Sequence, residues 1–417
     1  MRERIAGTFR DEERNRDRMS RVHIENAERI ADTVGRLKGA AMKLGQAAAQ
    51  AATSLDLPQE VTQALSKLHA DAEPIPFSVI QEDIEQSLGR TLDEAFAEFD
   101  REPLGTASLA QAHAARLPDG TAVVVKVLHR GIEDSVASDL LALKTMLVGS
   151  KLLRRAKDEV DAAFSEIRER LEEELDYLQE AANITRFRTI FGDDHRVRVP
   201  RVFGDWSTDR VLTMDHLPGV PHQDFLEHAS AEAKHRAGTT IAELYYEMAY
   251  RHRVLHADPH PGNYLFEEDG RVGLLDFGCV KSFDEFFMAD YATCALSSVR
   301  GDRQGAIDAC KRLGVWVGDD PDAEQALWEF CETLAGPYRP ESYTVGGSDD
   351  SLLERLQPIA RALVRFPEIR APSEMIYLHR SLGGIYGLLR PMRVEGNWGA
   401  LLRENGEYAI ARGKGLA

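Results

Sequence analysis

Three short segments hold the residue types that phosphoryl transfer needs. In His256-Ala257-Asp258-Pro259-His260-Pro261-Gly262-Asn263 an aspartate stands five residues before an asparagine. In that pattern Asp258 accepts or orients an attacking hydroxyl, and Asn263 offers an oxygen to a divalent cation. Asp276-Phe277-Gly278 follows Asp258 by 18 residues, and Asp276 would be the second metal ligand. Moving a phosphoryl group asks the protein mainly to position the substrate and neutralise phosphate charge, which this pairing with Mg²⁺ does. Lys126 ends the run Val123-Val124-Val125-Lys126, where its ammonium would meet the α- and β-phosphates. Leu104-Gly105-Thr106-Ala107-Ser108 lies just upstream. Its small side chains let backbone N–H groups approach phosphate oxygens, although it lacks the Gly-x-Gly-x-x-Gly pattern. The nucleotide-binding candidates are therefore Gly105, Thr106, Ala107, Ser108, Lys126 and Met214. The expected cofactors are ATP or ADP with Mg²⁺.

These residues need elements to hold them. Residues 1–70 are rich in Ala, Leu, Gln, Glu and Arg and read as helical. One or two short helices are expected over 78–99, interrupted by Gly89. Pro118-Asp119-Gly120 marks a hairpin between two strands, the second carrying Val123 to Lys126. Ile132, Val136, Leu140, Leu143 and Leu147 recur at helical spacing, and a second, charged helix is expected over about 158–190. Arg198–Trp206 and Arg210–Met214 read as another strand pair. Beyond Gly219 the pattern is helical except for a strand–turn–strand near 264–275. This order predicts a small nucleotide-binding lobe followed by a helical lobe, with ligand between them.

Composition excludes several alternatives. With 51 Lys and Arg against 69 Asp and Glu, the formal net charge is −18 over 417 residues. Broad nucleic-acid binding needs a basic face, so no nucleic-acid partner is expected. No apolar stretch approaches the roughly 20 residues a membrane-spanning helix requires, and the first residues have no apolar targeting core. The expected location is cytoplasmic, with peripheral membrane contact left open to a local basic patch. Cys279, Cys294, Cys310 and Cys331 show no metal-knuckle spacing and read as reduced thiols.

Several segments together resemble the UbiB-type (AarF-like) atypical kinases, whose members include quinone-biosynthesis accessory proteins. Met42-Lys43-Leu44-Gly45-Gln46 is similar to the family's Lys-x-Gly-Gln motif, PLGTASLAQAH (103–113) to its Ala-rich loop, EEELDYLQEAAN (172–183) to its Glu-x-Asp helix, and LHADPHPGNYLF to its catalytic loop. The resemblance implies an α+β, bilobal protein-kinase-like fold with an N-terminal helical extension and a mostly helical C-terminal lobe. It implies that Glu180 faces Lys126, and that Lys43 and Gln46 of the extension contact Glu174 and Asp176, covering the place a peptide substrate would take. The corresponding domains are 1–75, 76–215 and 216–417. Gly105-Thr106 departs from the Ala-Ala-Ala-Ser loop of many members, which leaves the choice between ATP and ADP open. Ala257 replaces the Arg of His-Arg-Asp, and no Ala-Pro-Glu follows Gly278, so regulated protein phosphorylation is not expected.

The expected function is an atypical kinase or ATPase that binds Mg-nucleotide and supports isoprenoid-quinone or other lipid metabolism, with a lipid or quinone precursor as partner. Two alternatives stay open: a small-molecule phosphotransferase, and a nucleotide-switched binding scaffold.

Overall fold

The computed structural model describes residues 75–415, apart from 107–108, 133–137, most of 139–171 and residue 174. Lys43, Gln46, Ala107, Ser108 and Glu174 lie outside the described residues, as does the expected helical extension. The chain divides into two compact units. The first holds residues up to Ala182 together with Arg201–His216; the second holds Asn183–Pro200 and Leu217 onward.

Five strands precede residue 217: β1 (Glu98–Thr106), β2 (Ala110–Arg116), β3 (Ala122–Leu128), β4 (Val197–Arg198) and β5 (Val211–Asp215). In the first unit four of them form an antiparallel sheet ordered β1-β2-β3-β5. The turn between β2 and β3 forms as the Pro-Asp-Gly signal predicts. Gly120 takes φ 88° and its N–H donates to Leu117 O at 2.8 Å. Pro103 sits on β1, at the sheet edge, where a missing N–H costs no ladder bond.

Alternation along β3 decides which face does what. Val123, Val125 and Val127 are fully buried against Ile80 and Ile84 of the helix Phe77–Leu88. With a side-chain period of two, Val124 and Lys126 must emerge on the opposite face. That helix ends at Gly89, in the left-handed region at φ 67°, as expected of a helix stop.

The expected pairing of Arg198–Trp206 with Arg210–Met214 is not what forms. Val197–Arg198 is β4, which pairs in parallel with another strand of the second unit, and Gly204–Trp206 is a 3-10 turn; of strand pairing between the two segments there is an isolated bridge, Val202 to Met214. The side chains explain it: the Thr213 hydroxyl donates to Trp206 O and the Thr213 N–H donates to Ser207 Oγ, so beyond the bridge side chain–backbone bonds take the place of a ladder.

The second unit carries β6 (Val220–Pro221), β7 (Val254–His256), β8 (Tyr264–Phe266), β9 (Val272–Leu274) and β10 (Val280–Ser282), then two-residue strands β11 (Tyr343–Thr344) and β12 (Glu395–Gly396) among helices. The expected strand–turn–strand is the antiparallel pair β8–β9, and β7 pairs with β10. Aspartates set the helix starts: Asp284, Asp302 and Asp320 each accept a backbone N–H at the head of Glu285–Arg300, Arg303–Arg312 and Pro321–Leu334. Among the described residues no helix is long and apolar enough to cross a membrane.

Candidate functional site

In the first unit the site is a row on the sheet face turned away from the helix Phe77–Leu88. Cross-strand register sets Ala112, Lys126 and Leu212 side by side, and next to them Ala114, Val124 and Met214. Directly paired residues share a face, so Lys126 and Met214 stand on one surface. The alanines of β2 leave room above it. Gln111 and His113 point the other way and are buried. Gln111 Oε1 accepts from Ile75 N–H at 2.5 Å, and burial lowers the His113 pKa from its ordinary value. Gly105 and Thr106 end β1, paired with Ala112 and Gln111.

Lys126 Nζ lies 2.7 Å from Glu180 Oε1, with the two side chains 17% and 4% exposed, and sits 5.6 Å from the Tyr177 ring centroid. Glu180 is on the helix Tyr177–Phe191. Asp176 starts that helix: its Oδ1 accepts from Gln179 N–H at 2.9 Å, and its carbonyl accepts from Glu180 N–H. Asp176 is exposed, so the carboxylate that caps the helix is also open to solvent.

In the second unit the loop after β7 is fixed by hydrogen bonds. Asn263 Nδ2 donates to both the carbonyl and the carboxylate of Asp258, each at 2.9 Å. This folds the Pro-rich loop into one turn and leaves Oδ1 as the amide's ligand atom. Leu275 N–H donates to Asn263 O at 3.0 Å, which ties the segment bearing Asp276 to the loop. Asp276 Oδ1 accepts from Gly278 N–H at 2.9 Å, while its carbonyl accepts from His256 Nε2. A carbonyl only accepts, so Nε2 is the donor in this contact. Asp258, Asn263 and Asp276 are half-buried. The donors are all oxygen, which suits Mg²⁺ rather than a thiophilic ion.

Phe277 is fully buried, 5.1 Å from the Phe187 ring and 5.6 Å from His256. Its carbonyl accepts from Asn183 Nδ2 at 2.8 Å. Three supporting residues escaped the sequence reading. Asn183 stands within a quoted motif but had no role. Arg380 donates to Ala257 O at 2.9 Å and lies 3.6 Å from Cys279 Sγ, so a guanidinium reaches this loop from a helix over 120 residues away. Gly384, on the same helix Ser373–Met392, comes so close to Pro259 that a Cβ would sit 2.3 Å from Pro259 Cγ. Only the glycine in Gly383-Gly384 hinted at it.

A family model for the ABC1 atypical kinase-like domain matches residues 67–310, more than half of the chain. Yeast atypical kinase COQ8, a mitochondrial protein, is 29% identical over 388 residues, covering 92% of this chain and 77% of its own length. The Drosophila melanogaster AarF domain-containing kinase 1 is 34% identical over 304 residues, 71% of this chain. The chain spans only a little over half of that relative, 58% of its length. Among solved structures, Rv3197 of Mycobacterium tuberculosis in complex with erythromycin is similar with a TM-score of 0.66 and 26% identity, covering 96% of this chain and 99% of that one. The α+β, kinase-like fold and the matched domain together place this chain in the ABC1 atypical kinase-like family, the UbiB/AarF group.

Proposed function

We propose that this chain binds Mg-ATP or Mg-ADP and transfers or hydrolyses a phosphoryl group in support of isoprenoid-quinone or other lipid metabolism. The observation that carries the reading is the buried Lys126–Glu180 pair at 2.7 Å. Kinase-type phosphoryl transfer requires that pairing so the lysine can be held toward the phosphates. Asp258 would orient the attacking hydroxyl or water. Asn263 Oδ1 and the Asp276 carboxylate would hold Mg²⁺, which neutralises phosphate charge when bound. Gly105, Thr106, Ala107 and Ser108 would cover the phosphates, and Met214 would line the base pocket. Lys43 and Gln46, against Glu174 and Asp176, would modulate turnover.

The lipid half of the reading draws support from an apolar cavity of about 300 Å³ inside the second unit, lined in part by Tyr245, Tyr246, Tyr250 and Tyr338. A neighbouring cavity of about 240 Å³ shares three of those tyrosines and His379. That volume suits an isoprenoid or aromatic ligand. The complex of Rv3197 with erythromycin favours a second reading, a binder of bulky apolar molecules without useful turnover.

Thermal shift separates these. Millimolar Mg-nucleotide raises the melting temperature of a nucleotide binder by mass action, and Lys126→Ala or Asp276→Asn should reduce that shift. Nucleotide-dependent phosphate release, abolished by Asp258→Asn, supports the enzyme. No shift in the wild type removes the kinase-type reading. A shift without turnover, with or without a quinone-precursor mimic, leaves the binding scaffold.

A further inference from the structure

Cysteines that no linear motif groups meet in the second unit. Cys294 lies on the helix Glu285–Arg300, Cys310 on Arg303–Arg312 and Cys331 on Pro321–Leu334. Their Sγ atoms all fall within 4.8 Å of one another, and Cys294 and Cys310 are 3.5 Å apart. All three are buried, 8%, 1% and 7% exposed, and none is in a disulfide. They line one wall of the larger apolar cavity, to which His379 of the helix Ser373–Met392 also contributes.

We propose that Cys294, Cys310 and Cys331 form a structural site for a thiophilic d¹⁰ cation, Zn²⁺, that fastens three helices together. Zinc–sulfur bonds of about 2.3 Å at tetrahedral angles hold neighbouring sulfurs about 3.8 Å apart. The observed separations, from 3.5 Å to no more than 4.8 Å, bracket that figure, so small side-chain rotations suffice. Three thiolates leave one position of the tetrahedron open. His379 lines the same cavity but stands outside the cluster of ligand atoms, so a water in the cavity takes that position.

Buried free cysteines often act simply as small apolar residues. Two features argue against that here. Neighbours in a close-packed core are usually unlike one another, whereas three separate helices each deliver a soft donor to one point at ligand spacing. That point also borders open volume, where a fourth ligand has room, rather than sealed carbon packing. The Asp258–Asn263–Asp276 set offers only oxygen, so the two sites select different ions. Zinc here would join the helices Glu285–Arg300, Arg303–Arg312 and Pro321–Leu334 across the core that also contains Trp316, Leu327 and Trp328.

The test uses the full chain, purified without chelator. Zinc per chain is measured directly, and metal-stripped protein is titrated with Co²⁺. Expected are about one zinc per chain and, with cobalt, the intense near-ultraviolet bands of thiolate-to-metal charge transfer alongside tetrahedral visible bands. Cobalt bound at the oxygen donors gives no thiolate bands. Cys310→Ser and Cys331→Ser should each weaken binding by at least about tenfold, the loss seen even for outer-shell partners. Cys279→Ser should leave the bands intact. Stripping the metal should lower the melting temperature, and zinc alone should restore it. The proposal is overturned by a wild type with negligible zinc and no thiolate bands, by a Cys294–Cys310 disulfide in fresh protein, or by bands that survive Cys310→Ser. If a serine variant does not fold, the wild-type stoichiometry and cobalt spectrum still decide.

Discussion

Removing the lysine of the buried pair should cost far more than removing both partners. Lys126→Met deletes the ammonium 2.7 Å from Glu180 while keeping much of its stem volume. The Glu180 side chain is only 4% exposed, so it cannot recover in water what it loses. Breaking one side of a buried pair costs roughly 3–5 kcal/mol. An upper limit comes from escape by protonation, about 3.7 kcal/mol at neutral pH for an ordinary glutamate. Lys126 keeps 17% of its side chain exposed, which puts the expected loss nearer 3 kcal/mol. For a unit of this size that is roughly 6–12 °C of melting temperature. Lys126→Met with Glu180→Leu removes both charges and fills the gap with carbon, so the double variant should return to within about 1 kcal/mol of wild type. Urea and thermal unfolding without nucleotide measure this directly, and the double-mutant cycle isolates the pair. If Lys126→Met lies within about 1 kcal/mol of wild type, or if the two changes simply add, the pair is not the buried contact described above.

Gly384→Ala should lose about 1–2 kcal/mol, because overpacking against Pro259 outweighs the helix-propensity gain, and turnover should fall more than nucleotide affinity. Gly383→Ala, where a Cβ meets nothing within 4 Å, should instead stabilise by about 0.5–1 kcal/mol; equal effects in calorimetry would refute the assigned geometry. Asn183→Ala, which removes the 2.8 Å hydrogen bond to the Phe277 carbonyl, should cost about 0.5–1.5 kcal/mol in urea unfolding. Burial lowers the pKa of His113, His222 and His252. The folded chain keeps them neutral while the unfolded chain takes up protons near pH 6.5. Unfolding therefore binds protons, and stability should be full above about pH 6.5 and decline as pH falls below it. A melting temperature that rises on going from pH 7 to 5.5 would contradict this.

What the sequence showed plainly is what sits close together along the chain. Asp258 and Asn263 lie within one loop, and a single side-chain amide completes the contact between them. Lys126 needed only the alternation of β3 to fix its face, since three valines on the other face are buried with the helix Phe77–Leu88. The Lys126–Glu180 contact spans 54 residues, and no periodicity could have found it; resemblance supplied that partner. Arg198–Trp206 failed as a continuous strand because Trp206 O accepts from the Thr213 hydroxyl and the Thr213 N–H donates to Ser207 Oγ, a competition that β-propensity does not register.

The cysteines show the same limit from the other side. Metal motifs are recognised when two ligands share one turn, as in a knuckle, so that spacing alone implies proximity. Cys294, Cys310 and Cys331 stand 16 and 21 residues apart, each on its own helix. What brings them together is where the helices stop and start, the first connection being the sharper. Gly301 closes the first helix in the left-handed region at φ 75°, and Asp302 opens the next by accepting Gly305 N–H. Asp320 and Pro321 then start the third. Each stop and start is legible by itself as a cap. Their joint result, three inward-facing positions converging on one point, depends on how the helices pack about Trp316 and Leu327, which is a property of volume rather than of order along the chain.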